Sequence, residues 1–325
     1  MTPYTHGGDV LTARARFGGD VLDCSANLNP LGMPPAVQAA AAAAAADSAR
    51  YPDPLCRALR AAIAAYDGVA PEQVLCGGGA AELIFRLAYA LRPRRALVTA
   101  PAFSEYEEAL TAAGCAVTRP PLRRENRFDV DGGLLDAIAP GVELVFLCTP
   151  NNPTGRLVDG ALLRAAAEQC RAVGAVLAVD ECFLPLSDGA GPGLAPCLAE
   201  YPNLLLLRAF TKSYAMAGLR LGYALSANGG LLERMAAAGP PWSVSTPAQA
   251  AGLAALEQCS DWPEKARALL ASERPALSDG LAALGLEGPA IGAAQRRLAA
   301  HILSHPEDNT PARLLALARA ELSGP

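Results

Sequence analysis

Residues 203–223 read NLLLLRAFTKSYAMAGLRLGY. The run Leu204 to Leu207 carries no polar position, so it predicts a strand buried on both faces rather than one with a wet side. It leaves through Arg208 into Thr211 and Lys212, and Arg220 follows eight residues after the lysine. The chain holds 27 Lys and Arg residues, of which only Lys212 and Lys265 are lysines. An arginine-rich composition accounts for that imbalance. It leaves open what an amine does beside an apolar strand that a guanidinium cannot do.

Working outward, the same strand-and-exit pattern recurs. EQVLCGGGAAELIFRLAYAL reads as a short strand, a glycine turn and a helix of period 3.6. RRALVTAPAF, CAVTRPPL, VELVFLCTPNNPTG and AVLAVDECF read as further strands, with FSEYEEALTAAG and ALLRAAAEQCRAVG as helices among them. Apolar strands alternating with helices imply a mainly parallel sheet covered on both faces, the α/β class, in which ligands gather at the carboxyl ends of the strands. The run Ala39–Ala46 is expected to be helical, because alanine is the best helix former. Residues 48–227 are expected to form a large domain. Residues 1–47 and 228–325 are expected to supply a smaller domain and an N-terminal segment.

The bulk composition narrows the classes. A chain of 325 residues, 52% hydrophobic and 18% charged, can bury a sizeable core. A net charge of −5 without a basic block argues against nucleic acid or an anionic membrane as partner. No apolar run reaches the length of a membrane span. The start, MTPYTHGGDV, lacks the layout of a signal peptide, so a cytoplasmic location is expected. Nine scattered cysteines without a C-x-x-C pair read as reduced core residues, not a disulfide framework or a metal site.

Four strand exits carry distinctive residues: Gly77-Gly78-Gly79-Ala80-Ala81 opening a helix, Asn151-Asn152-Pro153-Thr154-Gly155, Asp180-Glu181 and Thr211-Lys212. A glycine turn at a helix start suits a phosphate. Taken alone it is more often only a turn, and an aspartate and a lysine at neighbouring exits could be an ordinary ion pair. Pyridoxal 5'-phosphate is the one cofactor that needs all four. Its aldehyde needs a primary amine, which arginine cannot replace. Its pyridine nitrogen needs a carboxylate, its phenolic oxygen a donor, and its phosphate small-residue amides and an arginine.

At these residues the chain resembles the fold-type-I pyridoxal-phosphate enzymes, the aspartate-aminotransferase (class I and II) superfamily, over roughly residues 20–260. The resemblance implies an aspartate-aminotransferase-like, three-layer large domain. It makes Lys212 the imine-forming lysine, sets Asp180 on the pyridine nitrogen and Asn152 on the phenolic oxygen, gives the phosphate to Arg220 and the amides of Gly79, Ala80 and Ala81, and counts Phe183 and Thr211 among the cofactor-binding residues. Phe103 would stack on the ring, and Tyr51 of RYPDP would reach a phosphate across a homodimer interface.

HGGDV, CSANLNPLGMPP, RYPDP, DECF and PPWSVSTPAQAAG resemble the L-threonine O-3-phosphate decarboxylases, which make aminopropanol phosphate for cobalamin. The implied activity is decarboxylation of that phosphorylated amino acid. A histidinol-phosphate-type aminotransferase, or another enzyme on the same cofactor, is the alternative. A non-catalytic relative is the third. Phe183 favours the decarboxylase, because the aminotransferases usually carry tyrosine there. His6, Gly7, Asn27 and Asn152 would border the substrate. Two departures stand out. Ala209 replaces the usual hydroxyl residue, and the arginine-bearing C-terminal segments are missing, with Arg296 and Arg297 the only local guanidinium groups.

Overall fold

The computed structural model describes residues 7–18, 21, 23, 25–188, 191 and 193–283. The chain divides into two compact units, one of Met1–Asn27 with Ala268–Pro325 and one of Leu28–Arg267. In the first unit α1 (Val10–Phe17) is capped by Asp9, whose carboxylate accepts the Thr12 N–H at 3.1 Å.

The larger unit is built on a seven-stranded sheet. Its strands are β1 (Val74–Gly77), β2 (Arg95–Val98), β3 (Ala116–Thr118), β4 (Leu144–Cys148), β5 (Val176–Asp180), β6 (Leu204–Ala209) and β7 (Gly222–Leu225). They lie in the order β1-β7-β6-β5-β4-β2-β3. The pairs among β2 to β6 are parallel, as expected from the alternating pattern, whereas β7 runs antiparallel to both β1 and β6.

In chain order the remaining helices are α2 (Pro35–Ala45), α3 (Arg57–Asp67), α4 (Ala80–Leu91), α5 (Ser104–Ala112), α6 (Gly133–Ala137), α7 (Gly160–Val173), α8 (Phe210–Ser213), α9 (Gly229–Ala237), α10 (Thr246–Gln258) and α11 (Trp262–Ala283). The alanine run forms α2 and packs its small side chains against the alanine-rich α10.

Successive strand residues point to opposite faces, and the core divides accordingly. Val145, Leu147, Leu177, Val179, Leu204 and Leu206 join Leu59, Ile63, Leu163 and Ala251 of α3, α7 and α10. Leu144, Phe146, Ala178, Leu205 and Leu207 join Leu83, Ile84, Leu87, Tyr106 and Met235 of α4, α5 and α9. Leu204 to Leu207 are each 0% exposed, which explains why the sequence could place leucine at every position of β6. Burying each of these side chains contributes about 1.5–3 kcal/mol.

β7 is the element that positions the site. Gly222 is registered against Gly77 of β1 on one side and Ala209 of β6 on the other. The glycine turn after β1, Arg220 before β7 and Lys212 after β6 are thereby gathered at one edge of the sheet. Gly222 has to be glycine, since an added Cβ would lie 2.7 Å from the Ala80 nitrogen and 3.0 Å from the Arg208 oxygen.

Candidate active site

The turn after β1 is closed by its own hydrogen bonds. The Gly79 N–H donates to the Gly77 carbonyl at 2.8 Å, and the Gly78 N–H donates to Glu82 Oε2 at 2.8 Å. The first helical amides of α4, Ala80 and Ala81, therefore carry the anion-binding potential of this helix start. Gly79 has φ 97° and ψ 164°, a conformation nearly confined to glycine. A Cβ built there would lie 2.7 Å from Arg220 Nη2. Arg220, itself at φ 58°, is exposed and anchored by an Nη1–H bond to the Ala217 carbonyl at 3.2 Å. The geometry is a concave turn with a guanidinium over it.

Asp180 ends β5 and is 5% exposed. Its Oδ1 accepts the Cys182 N–H at 2.9 Å and its Oδ2 accepts the Tyr106 hydroxyl at 2.7 Å. Tyr106 lies on α5, stacked on Phe146 at 4.9 Å between centroids and edge-on to Phe103 at 5.6 Å. Burial, followed by the charge of Asp180, pushes the Tyr106 phenol well above its ordinary pKa, so it remains a donor. Burial also raises the neighbouring Cys148 thiol to about 12, which keeps it protonated.

Lys212 is half-buried on the single turn α8. A turn this short cannot hold itself by helical bonding. Asn29, 3% exposed, anchors it by donating its N–H to the Lys212 carbonyl at 3.0 Å and its Nδ2–H to the Ser213 carbonyl at 2.7 Å. The Lys212 Nζ stands 5.3 Å from the Phe183 ring centroid. Burial, reinforced by the charge of Arg220 and partly offset by Cys182, Asp180 and Glu105, holds this amine below the ordinary lysine pKa. Asp180 and Lys212 thus feel each other's charge, yet no ion pair joins them among the described residues.

The other expected residues are placed as follows. Asn152 is half-buried in a turn with cis peptide bonds before Pro150 and Pro153. Its neighbour Asn151 holds that turn, donating to the Pro101 carbonyl at 3.0 Å and to Thr154 Oγ1 at 2.9 Å. Phe103 and Thr211 are half-buried. Tyr51 is 78% exposed and stacks on Trp242 at 4.5 Å. Gly7 and Asn27 belong to the first compact unit and are exposed. His6, Arg296 and Arg297 lie outside the described residues.

At the end of β6 is a buried charge cluster that the sequence did not announce. Arg208, 9% exposed, pairs with Glu181 Oε2 at 2.6 Å and with Asp67 Oδ1. Burial raises the Asp67 pKa, and Arg208 offsets part of that rise. The ties run between the end of α3, the exit of β5 and the end of β6, the strand that leads into the Lys212 turn, and so hold these three elements together.

Among solved structures, the histidinol-phosphate aminotransferase of Clostridium acetobutylicum superposes with a TM-score of 0.74 at 25% identity, covering 81% of this chain and 78% of that one. Thermus thermophilus aspartate aminotransferase with maleate gives 0.73 at 28% identity, covering 85% and 76%. The fold is therefore that of aspartate aminotransferase, as expected. The chain belongs to the class I and II aminotransferase family, which it matches over residues 19–294. It is 38% identical to the threonine-phosphate decarboxylase of Salmonella typhimurium over 262 residues, 80% of this chain and 71% of that protein. It is 37% identical to a histidinol-phosphate aminotransferase of Anaeromyxobacter over 291 residues, 88% and 78%.

These relatives are pyridoxal-phosphate enzymes, and the residues present fit that group. The absence of a Cβ at Gly79 lets the Arg220 guanidinium lie against the turn, 2.7 Å from where that Cβ would stand. A buried carboxylate already held by two donors faces the site. An amine lies within its electrostatic reach but is not paired to it. Pyridoxal phosphate is the cofactor of this chain's enzyme class. No described helix is long and apolar enough to cross a membrane.

Proposed function

We propose that the protein decarboxylates L-threonine O-3-phosphate to (R)-1-amino-2-propanol phosphate, a cobalamin precursor. The observation that carries this reading is Phe183. The ring facing the Lys212 amine at 5.3 Å has no hydroxyl to donate to the cofactor's phenolic oxygen, which is the feature that separates the decarboxylase wording from the aminotransferase wording. The 38% identity to a threonine-phosphate decarboxylase supports it.

When bound, pyridoxal phosphate supplies an aldehyde for amines and a conjugated ring that takes up the electron pair released at the substrate's Cα. Ala80, Ala81 and Arg220, with Gly79 giving room and Thr211 beside them, would hold its phosphate. Asp180 would keep a proton on its ring nitrogen, with Tyr106 and Cys182 fixing the carboxylate's direction. Asn152 would donate to the phenolic oxygen, and Phe103 would cover the ring.

Lys212 would carry the aldehyde at rest. Its lowered basicity keeps more of it as free amine, the form that bonds to a carbonyl and takes or returns a proton at Cα. His6, Gly7, Asn27 and Asn152 would line the substrate's side. Tyr51, whose ring is exposed, would act from one subunit of a homodimer on the other. We infer a cytoplasmic enzyme with a cofactor-binding domain of 48–227 and a smaller domain of 1–47 and 228–325, a functional division that differs from the two compact units of Met1–Asn27 with Ala268–Pro325 and Leu28–Arg267.

The second reading, a histidinol-phosphate-type aminotransferase, is supported by the 37% relative that covers 88% of this chain. Incubation with L-threonine O-3-phosphate decides between them. Release of carbon dioxide without 2-oxoglutarate is the expected result. Turnover that requires 2-oxoglutarate and releases no carbon dioxide would establish the aminotransferase instead.

A further inference from the structure

Lys212 and Ser213 close the single turn α8, and their carbonyls are two of those that a helix end leaves without helical donors. Both find a donor in Asn29. Its backbone N–H meets the Lys212 carbonyl at 3.0 Å, and its Nδ2–H meets the Ser213 carbonyl at 2.7 Å. The chain beyond α8 gives little help. Ala215 stands at φ 52°, in the left-handed region, and its N–H reaches the Lys212 carbonyl only at 3.4 Å. Asn29 and Ser213 are each 3% exposed, so a Ser213 carbonyl that lost its donor would be stranded away from solvent.

Asn29 is itself held. Its Oδ1 accepts the Leu31 N–H at 2.9 Å, and its carbonyl accepts the Gly32 N–H at 3.0 Å. The turn passes through Gly32 at φ 73°, which glycine adopts without strain. The Gly32 carbonyl accepts the Trp262 Nε1–H at 2.9 Å. Trp262 begins α11, packs against the core, and donates its backbone N–H to the Cys259 carbonyl at 2.9 Å. A line of hydrogen bonds therefore runs from the cap of α10 through Trp262, Gly32 and Asn29 to the backbone of Lys212.

We propose that Asn29, and through it Trp262, are positioning residues for the Lys212 amine. They act on the backbone of α8, from which the Lys212 side chain projects. Lys212 is here the cofactor-bearing amine of the proposed function, on which this assignment rests. A reacting group displaced by about 1 Å loses about 100-fold in rate. A backbone free to shift at residue 212 therefore weakens the amine's attack on a carbonyl. The same shift lets water reach an amine whose basicity burial lowers, in the company of Cys182, Arg220, Asp180 and Glu105.

Asn29→Ala is tested against Asn203→Ala. Asn203 also donates its Nδ2–H to two carbonyls, those of Ala167 and Ala175 at 2.9 and 3.4 Å, but it precedes β6, whereas Lys212 follows it. Circular dichroism and thermal melts establish that each variant is folded. In the cofactor-free protein, acetic anhydride labelling of Lys212 is followed against pH by peptide mass, with Nα-acetyl-lysine as reference. The profile should move up toward free lysine in Asn29→Ala and stay at its native position in Asn203→Ala. On adding pyridoxal phosphate, the rate at which it becomes trapped on Lys212 by borohydride should fall about 10- to 100-fold in Asn29→Ala alone.

Asn29→Ser, which keeps an oxygen for the Leu31 N–H but lacks the amide that donates to Ser213, serves the same test where alanine does not fold. Trp262→Phe keeps an aromatic ring and removes the N–H to Gly32; both readings should shift the same way by less. A folded Asn29 variant whose labelling profile and trapping rate match those of Asn203→Ala would overturn the proposal. Native values in Trp262→Phe would overturn the part given to Trp262. A native chain that traps no cofactor on Lys212 would refute the proposed function instead, and the labelling profile of the cofactor-free chain would still decide whether Asn29 holds the amine in place.

Discussion

Replacing Gly79 by alanine separates what the turn does for folding from what it does for anion binding. At φ 97° and ψ 164° a non-glycine residue costs about 1–3 kcal/mol. That corresponds to roughly 2–4 °C of thermal midpoint for each kcal/mol. The new Cβ would lie 2.7 Å from Arg220 Nη2. Because that atom is the end of a long side chain, the clash is relieved by swinging the guanidinium away. Losing one hydrogen bond to a charged group costs about 1.5–3 kcal/mol, or about 10- to 150-fold in affinity.

Gly78→Ala is the control, since its Cβ would meet nothing nearer than the Ser243 oxygen at 3.3 Å and its φ is not positive. Thermal melts and pyridoxal-phosphate titrations of both variants provide the assay. Gly79→Ala should lose both stability and cofactor affinity, and Gly78→Ala much less of either. A Gly79→Ala protein that binds the cofactor within twofold of the native chain would refute the cradle.

Three further outcomes are expected. Tyr106→Phe removes a 2.7 Å donor from a buried carboxylate; it should cost about 1.5–3 kcal/mol in urea unfolding, and an unchanged midpoint would count against that bond. Arg208→Ala strands Glu181 and Asp67 without their cation; about 3–5 kcal/mol of stability should be lost, read from the same denaturation curves. In the cofactor-free protein Lys212 should become reactive toward acetic anhydride at lower pH than free lysine does. Its pKa is lowered chiefly by burial, so the neutral form appears earlier as pH rises; a profile matching free lysine would contradict the burial argument.

The parts of the fold legible in the sequence were those written in contiguous residues. β4, β5 and β6 are apolar at every position, so their exits could be located and the chemistry of Asp180 and Lys212 read from them. β7 was not anticipated, because GYAL is only four residues long and gains its strand character from pairing on both edges. The helix bearing Tyr106 could be read, but not that its phenol crosses to Asp180, 74 residues away.

SANLNP offers two asparagines, and the motif directed attention to Asn27. It is Asn29 that anchors the Lys212 turn, through contacts 184 residues apart that no local pattern encodes. Arg208 resembled one more arginine in an arginine-rich chain, and only its partner Asp67, 141 residues distant, reveals a buried ion pair. The stacking of Tyr51 on Trp242 is likewise a product of folding.

Covalent attachment through one amine is unusually easy to test in this chain, because Lys212 and Lys265 are its only lysines. Borohydride reduction of the cofactor-loaded protein, followed by peptide mass mapping, should find a phosphopyridoxyl group on Lys212 and none on Lys265. Modification at Lys265 alone, or a chain that leaves reduction unmodified, would contradict it.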